Sequence, residues 1–257
     1  MVLPIAIICG ALVATAAYGF QWPVDDLAVT ATFGENRWNH FHGGIDIGGG
    51  RQDIKPIDDG EVIYYHEEGR PHSPVPTGLG NFLVVEHARG IRSLYAHLEP
   101  GTIDADQVLV TKDDVLGETG ESGSSLGRHL HFEVSDREFH QLVNPLRLLP
   151  ELPDVSAPVI GKALLVQAGA VPDVDASRID LEAVTTIGPG SWRMLLEVYD
   201  VSGYVEYFCP MAPYQVQVYL NGEKKLSIVF DGIGEVGDRL ELAQSKGATF
   251  SSFYLDE

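Results

Sequence analysis

Short runs of apolar residues recur along the chain, and glycine or proline clusters separate them. Glu61-Val-Ile-Tyr-Tyr65, Phe82-Leu-Val-Val-Glu86 and Ile91-Arg-Ser-Leu-Tyr95 are rich in β-branched and aromatic residues and predict strands. Ala88-Arg-Gly90, between the last two, predicts a hairpin turn. No stretch of this region carries the 3.6-residue apolar repeat of a helix over a convincing length. Residues 66–80 are rich in proline and glycine and read as a long loop between two strands, placed to rim or to plug a cleft. Prolines at 145, 150, 153 and 158 break regular structure and mark a boundary. Beyond it, residues 162–167, 194–199, 214–220 and 226–230 again predict strands. Tyr214-Gln-Val-Gln-Val-Tyr219 alternates like a half-buried strand, and Asn221-Gly222 is a hairpin signal. The expectation is an all-β protein with an antiparallel β-sheet domain over 20–150 and a small β-sandwich-like domain over 155–257. The chain stops soon after another strand-like run, so the second domain is expected to be incomplete.

Residues 1–19 carry no charge and include an apolar run from Val2 to Val13. Small residues follow, with Ala14-Thr-Ala16 and Ala17-Tyr-Gly19 as cleavage sites. The segment resembles a secretory signal peptide, although no lysine or arginine precedes the run. It is too short for a comfortable membrane span. The expected location is therefore outside the cytoplasm, in the periplasm or cell envelope. Cys9 lies in this leader, which leaves Cys209 as a buried structural cysteine and no internal disulfide. The formal charge is −20 in 257 residues, and acids outnumber bases on both sides of residue 150. Such a surface excludes nucleic acid as a partner, because phosphate binding draws on lysine and arginine patches.

All nine histidines lie between His40 and His140. Five of them, with one aspartate, fall into three clusters: His40-Phe-His42-Gly-Gly-Ile-Asp46, Tyr95-Ala-His97 and His129-Leu-His131-Phe-Glu133. A catalytic zinc site typically takes three protein ligands and leaves one position open. Glycines let the backbone bend between His42 and Asp46 so that both reach one ion. His129 and His131, two apart in a strand, project from one face. His97, at a strand end, completes the pocket.

These motifs, with Thr32-Phe-Gly-Glu-Asn-Arg37, Gly80-Asn81, Val84-Val-Glu-His87, Ser93-Leu-Tyr-Ala-His97-Leu and the glycine-rich run from Gly117 to Gly127, resemble the M23, or LytM/lysostaphin-type, zinc metallopeptidases. The resemblance covers residues 28–146. It implies a LytM-type antiparallel β-sheet domain, His42, Asp46 and His131 as zinc ligands, and His97 and His129 as catalytic histidines. His129 is the better general base and His97 the better oxyanion stabiliser. The implied reaction is zinc-dependent hydrolysis of peptide bonds in bacterial peptidoglycan. The alternative is a non-catalytic or self-inhibited LytM-type regulator of cell-wall hydrolases. Arg37, His40 and Asn81 are candidates for substrate contact, and Glu133 for support of a histidine. His66 and His72 read as solvated, His87 as structural and His140 as a surface residue. The second domain shows no catalytic motif and reads as a docking module for a cell-envelope protein.

Overall fold

The computed structural model describes residues 5–10, 19–37, 40–70, 75–153, 156–167, 178–180, 189–203, 209–236 and 239–243. Among these residues the fold is all-β with antiparallel sheets, and the only helical turns are the short 3-10 segments Ala88–Gly90 and Pro145–Arg147. No helix there is long and apolar enough to cross a membrane.

A ten-stranded sheet organises the first domain. Its main path runs Leu109–Val110, Gly60–His66, Phe82–His87, Ile91–Ala96, Leu130–Asp136, Gln141–Val143, Gly232–Val236 and Arg239–Leu242, while Ile45–Ile47 pairs with Leu130–Asp136 and Val29–Ala31 with Ile45–Ile47. Strand alternation explains which face is buried. Leu83 and Val85, Ile91 and Tyr95, and Leu130, Phe132 and Val134 enter one core, where the Tyr95 and Phe132 rings lie 5.3 Å apart. The residues between them face the other way. The expected hairpin forms with residues 88–90 as a three-residue connection, in which Arg89 and Gly90 both take positive φ (63° and 73°).

Beyond residue 156 the strands fall where alternation placed them, as Val159–Gln167, Trp192–Val201, Gln215–Leu220 and Glu223–Val229. Val216 and Val218 are buried and Gln215 and Gln217 half-buried, and Asn221 and Gly222 turn the hairpin with φ of 55° and 79°. Two features cross the expected boundary. Gly232–Val236 pairs with Gln141–Val143 and extends the first domain's sheet. Ile228, Phe230, Ile233 and Leu242 form a second core with Phe33 and Phe41, which flank the first histidine cluster. The apolar N-terminal segment Ile5–Gly10 lies as an edge strand on Gln215–Leu220.

Candidate metal centre

Asp46 and His131 sit opposite each other in an antiparallel pair, with Ile45 facing Phe132 and Ile47 facing Leu130. Those four apolar neighbours are fully buried, so the pleat turns Asp46 and His131 together onto the opposite face. His42 reaches the same spot through Gly43-Gly44. These glycines are needed for close approach: a Cβ on Gly44 would lie 2.2 Å from the Phe132 carbonyl oxygen, and one on Gly43 would lie 2.7 Å from Glu133 Oε1.

The contact atoms converge. His42 Nε2 is 3.1 Å from Asp46 Oδ1 and 3.1 Å from His131 Nδ1, and His131 Nδ1 is 2.8 Å from Asp46 Oδ1. Each ring is oriented from behind. His42 Nδ1–H donates to the Thr32 carbonyl (2.8 Å), and His131 Nε2–H donates to Glu133 Oε1 (3.0 Å). With those protons committed, a neutral His42 offers the Nε2 lone pair and a neutral His131 the Nδ1 lone pair. Two lone pairs and a carboxylate oxygen then face one another, an arrangement that calls for a cation. Two imidazoles and a carboxylate also form a donor set that suits zinc. Without a cation, protons on the two rings take its place and donate to Asp46. Burial opposes ionisation of Asp46, yet hydrogen bonds from His131 and His42 hold its carboxyl well below the usual carboxylate range. Burial also opposes protonation of His131, but Asp46 and Glu133 outweigh it and raise its pKa to about 9.

His97 and His129 line one side of the centre, with ring centroids 4.7 Å apart, and His97 lies 5.9 Å from the His131 ring. His97 follows the strand Ile91–Ala96 with φ of 62°, a left-handed conformation uncommon for a non-glycine residue and frequent where a side chain must be aimed. Its Nδ1–H donates to the Ser122 carbonyl (2.8 Å). Burial, then the neighbouring His129, lower its pKa to about 4, so the ring is neutral. His129 Nδ1 stands 2.8 Å from the Gly127 carbonyl and 3.1 Å from Ser125 Oγ. Its Nε2 lies 3.8 Å from Asp46 Oδ1 and so points into the site.

The three candidates for substrate contact separate. His40 is exposed on the strand His40–Phe41. Arg37 donates instead to Asp46 Oδ2 (2.8 Å) and Glu35 Oε2 (3.2 Å), as an internal clamp. Asn81 is 1% exposed and joins three segments: it accepts from the Glu68 amide, and its own amides donate to the Leu98 carbonyl and to Ser122 Oγ. These bonds tie Asn81 to the segment that carries His97, whose following residue Leu98 also donates its N–H to the Asn81 carbonyl (2.9 Å). His66 is buried too, stacked on Phe82 at 5.4 Å, rather than solvated; His72 lies outside the described residues. Of the loop at 66–80, residues 78–80 pack beside Ser122–Ser124, with Ser124 N–H donating to the Gly78 carbonyl (2.8 Å). His87 is buried against Ser93 and the Asp59 carbonyl, as a structural residue should be. The groups that orient the rings, the carbonyls of Thr32, Ser122 and Gly127, had no signal in the sequence, because a backbone carbonyl belongs to every residue.

Fold and site together are those of a β domain in which His42, Asp46 and His131 could hold one metal ion, with two histidines beside that position. The model of Peptidase family M23 matches residues 40–145, and a separate family model matches residues 157–257. Residues 40–145 are accordingly a domain of peptidase family M23. Among curated proteins, the chain is similar to the DD-carboxypeptidase/endopeptidase Mpg of Neisseria meningitidis, at 31% identity over 117 residues. That match covers 45% of this chain and 24% of the relative. A metalloprotease of Haemophilus influenzae is 34% identical over 83 residues, covering 31% of this chain and 16% of that protein. The chain thus spans about a quarter or less of the length of these relatives. Among solved structures, a zinc-containing peptidase from Vibrio cholerae matches at 27% identity, with 52% of this chain and 41% of that chain covered and a TM-score of 0.40.

Proposed function

We propose that the chain is a zinc-dependent endopeptidase that hydrolyses peptide bonds in the stems or cross-links of bacterial peptidoglycan. The observation that carries this reading is the convergence of His42 Nε2, Asp46 Oδ1 and His131 Nδ1 within hydrogen-bonding distance of one another, beside two oriented histidines. Zinc held by these three atoms would act as a Lewis acid and lower the pKa of an attacking water.

The chain's own residues do the rest. His129, with Nδ1 held by the Gly127 carbonyl and Nε2 aimed at the site, takes the water proton and passes it to the leaving amine. His97 gives its Nδ1–H to Ser122, so in the neutral form its Nε2 carries a lone pair. It becomes a donor to the developing oxyanion only once Nε2 gains a proton. The acidic surface favours neutral or amidated stems over anionic wall polymers. The site of action implied by such a substrate is outside the cytoplasmic membrane, with residues 1–19 serving as the leader.

Mass spectrometry of purified peptidoglycan, incubated with zinc-loaded protein and with His129→Ala, tests the reading. Peptide fragments that require zinc and disappear in the variant support it and identify the bond. An intact wall with zinc demonstrably bound would sink it in favour of a regulator that retains the fold.

A further inference from the structure

Behind the metal centre, a segment of the second domain grips the strand-to-turn stretch that presents two of the three ligands. Glu35, its side chain 13% exposed, is the junction. Its Oε1 accepts from the Thr32 amide (2.6 Å) and from the Ala212 amide (3.3 Å), the latter 177 residues away in sequence. Its Oε2 accepts from Arg37 Nη1, and Arg37 Nη2 in turn donates to Asp46 Oδ2. The Thr32 hydroxyl stands 3.0 Å from Glu35 Oε1 and 2.9 Å from the Ala212 carbonyl, and bridges the two. The Thr32 carbonyl holds His42 Nδ1–H. Two further bonds seat the second domain on the same edge: Ser202 Oγ donates to the Val29 carbonyl (2.7 Å) and Cys209 Sγ to the Thr30 carbonyl (2.9 Å).

We propose that the Cys209–Ala212 segment of the second domain positions the metal ligands His42 and Asp46 through Thr32 and through a Glu35–Arg37–Asp46 relay, with Glu35 as the positioning residue. Asp46 can offer Oδ1 to a metal in a fixed direction only while Oδ2 is held, and Arg37 holds it only while Glu35 fixes the guanidinium. Arg37 is 32% exposed, so a guanidinium released by Glu35 has water to swing into. The second domain is thereby part of the metal site's framework rather than a passive appendage, and a partner that pulls on it changes metal affinity. This inference rests on the reading of His42, Asp46 and His131 as a metal site.

The test measures zinc affinity of the full chain by competition with a chromophoric chelator, together with the visible spectrum of the Co2+-loaded protein. Groups that orient metal ligands typically contribute 10- to 100-fold in affinity, so Glu35→Ala is expected to weaken zinc binding about 10-fold or more and to shift the Co2+ bands. Thr32→Val removes the hydroxyl bridge to Ala212 but keeps the backbone carbonyl on His42 and the backbone amide on Glu35. It is expected to give a smaller loss in the same direction, and the double variant less than the product of the two. If Glu35→Ala fails to fold, Glu35→Gln and Thr32→Val carry the test, since glutamine keeps one acceptor oxygen and valine keeps the packing nearly intact. Folded Glu35 variants with wild-type affinity and spectrum overturn the relay. A loss in Glu35→Ala with Thr32→Val unchanged overturns the role of the second domain. Wild-type protein that binds no zinc overturns the metal site itself, and this inference with it; wild-type protein that binds zinc beside indifferent variants overturns this inference alone.

Discussion

In the sheet that carries Asp46 and His131, Ile45, Ile47, Tyr95, Leu130, Phe132 and Val134 are wholly buried. In the sheet built from Val159–Gln167 and Trp192–Val201, the buried apolar side chains among the described residues are Ala163, Leu165 and Val166, and the long strand beside them is half-buried along most of its length. The second region is better packed where it leaves its own sheets: Phe230, Ile233 and Leu242 close over Phe33 and Phe41. Buried apolar area drives folding, at about 25 cal/mol per Å². The first region can therefore hold ligand atoms rigidly, whereas the second draws much of its order from contact with the first. The chemistry concentrates in the rigid half, and the looser half reaches it through Glu35 and Thr32.

The sharpest way to break this comparison is at the ligands. Asp46→Ala removes a ligand whose neighbours Ile45 and Ile47 fill the core on the other face. The circular dichroism spectrum should persist, while zinc binding is lost and hydrolysis falls at least about a thousandfold, the several kcal/mol that a Lewis acid contributes. Loss of the fold would show that the centre, and not the apolar face, holds this half together.

Packing comes next. Phe132→Ala should cost about 4 kcal/mol and Leu165→Ala about 2 kcal/mol, read from urea midpoints, because the thinner region has less to lose when a side chain is truncated. Equal costs would erase the distinction between the two halves. Glu133→Ala, which frees His131 Nε2, is expected to weaken zinc binding about 30-fold, within the usual range for such supports. An unchanged affinity would show that the strand alone orients His131.

The smallest expected effect is on pH dependence. His131 has a raised pKa of about 9 in the metal-free fold, so its stabilisation is complete below about pH 6.5 and is lost as pH rises through 9. His97 behaves oppositely: with its pKa lowered to about 4, the fold favours the neutral ring, and stability falls as pH drops from about 6.5 towards 4. Metal-free protein should thus lose a few degrees of Tm on either side of about pH 6.5. Zinc requires deprotonated His131, so zinc-loaded protein should lack the alkaline decline and bind zinc more tightly as pH rises to 9. Scanning fluorimetry with and without chelator reads both; the same alkaline decline in each would count against His131 as a ligand.

Much of the first domain was legible because strand alternation writes burial into sequence. Leu130 and Phe132 flank His131 just as Ile45 and Ile47 flank Asp46, so the faces are readable before the pairing is known. The three residues that meet are those the resemblance to the M23 family implied. Glycines 43 and 44 were legible as necessary, but for a different reason: they admit the neighbouring strand rather than bend the chain. The internal hydrogen bonds of Arg37 and Asn81 were not legible. Polar residues beside a site look alike in sequence whether they face solvent or a buried partner.

By itself, then, the sequence determined the all-β character, the hairpins at residues 88–90 and 221–222, and which residue types could gather around a metal. These depend on local alternation, on turn chemistry and on the donor atoms each residue carries. Tertiary structure alone decided which proton each histidine keeps, why Arg37 faces inward, and that Gly232–Val236 completes the first sheet while Ala212 touches Glu35. Those outcomes depend on backbone carbonyls and amides brought together from distant segments, and every residue carries such groups, so no pattern of side chains announces where they will meet.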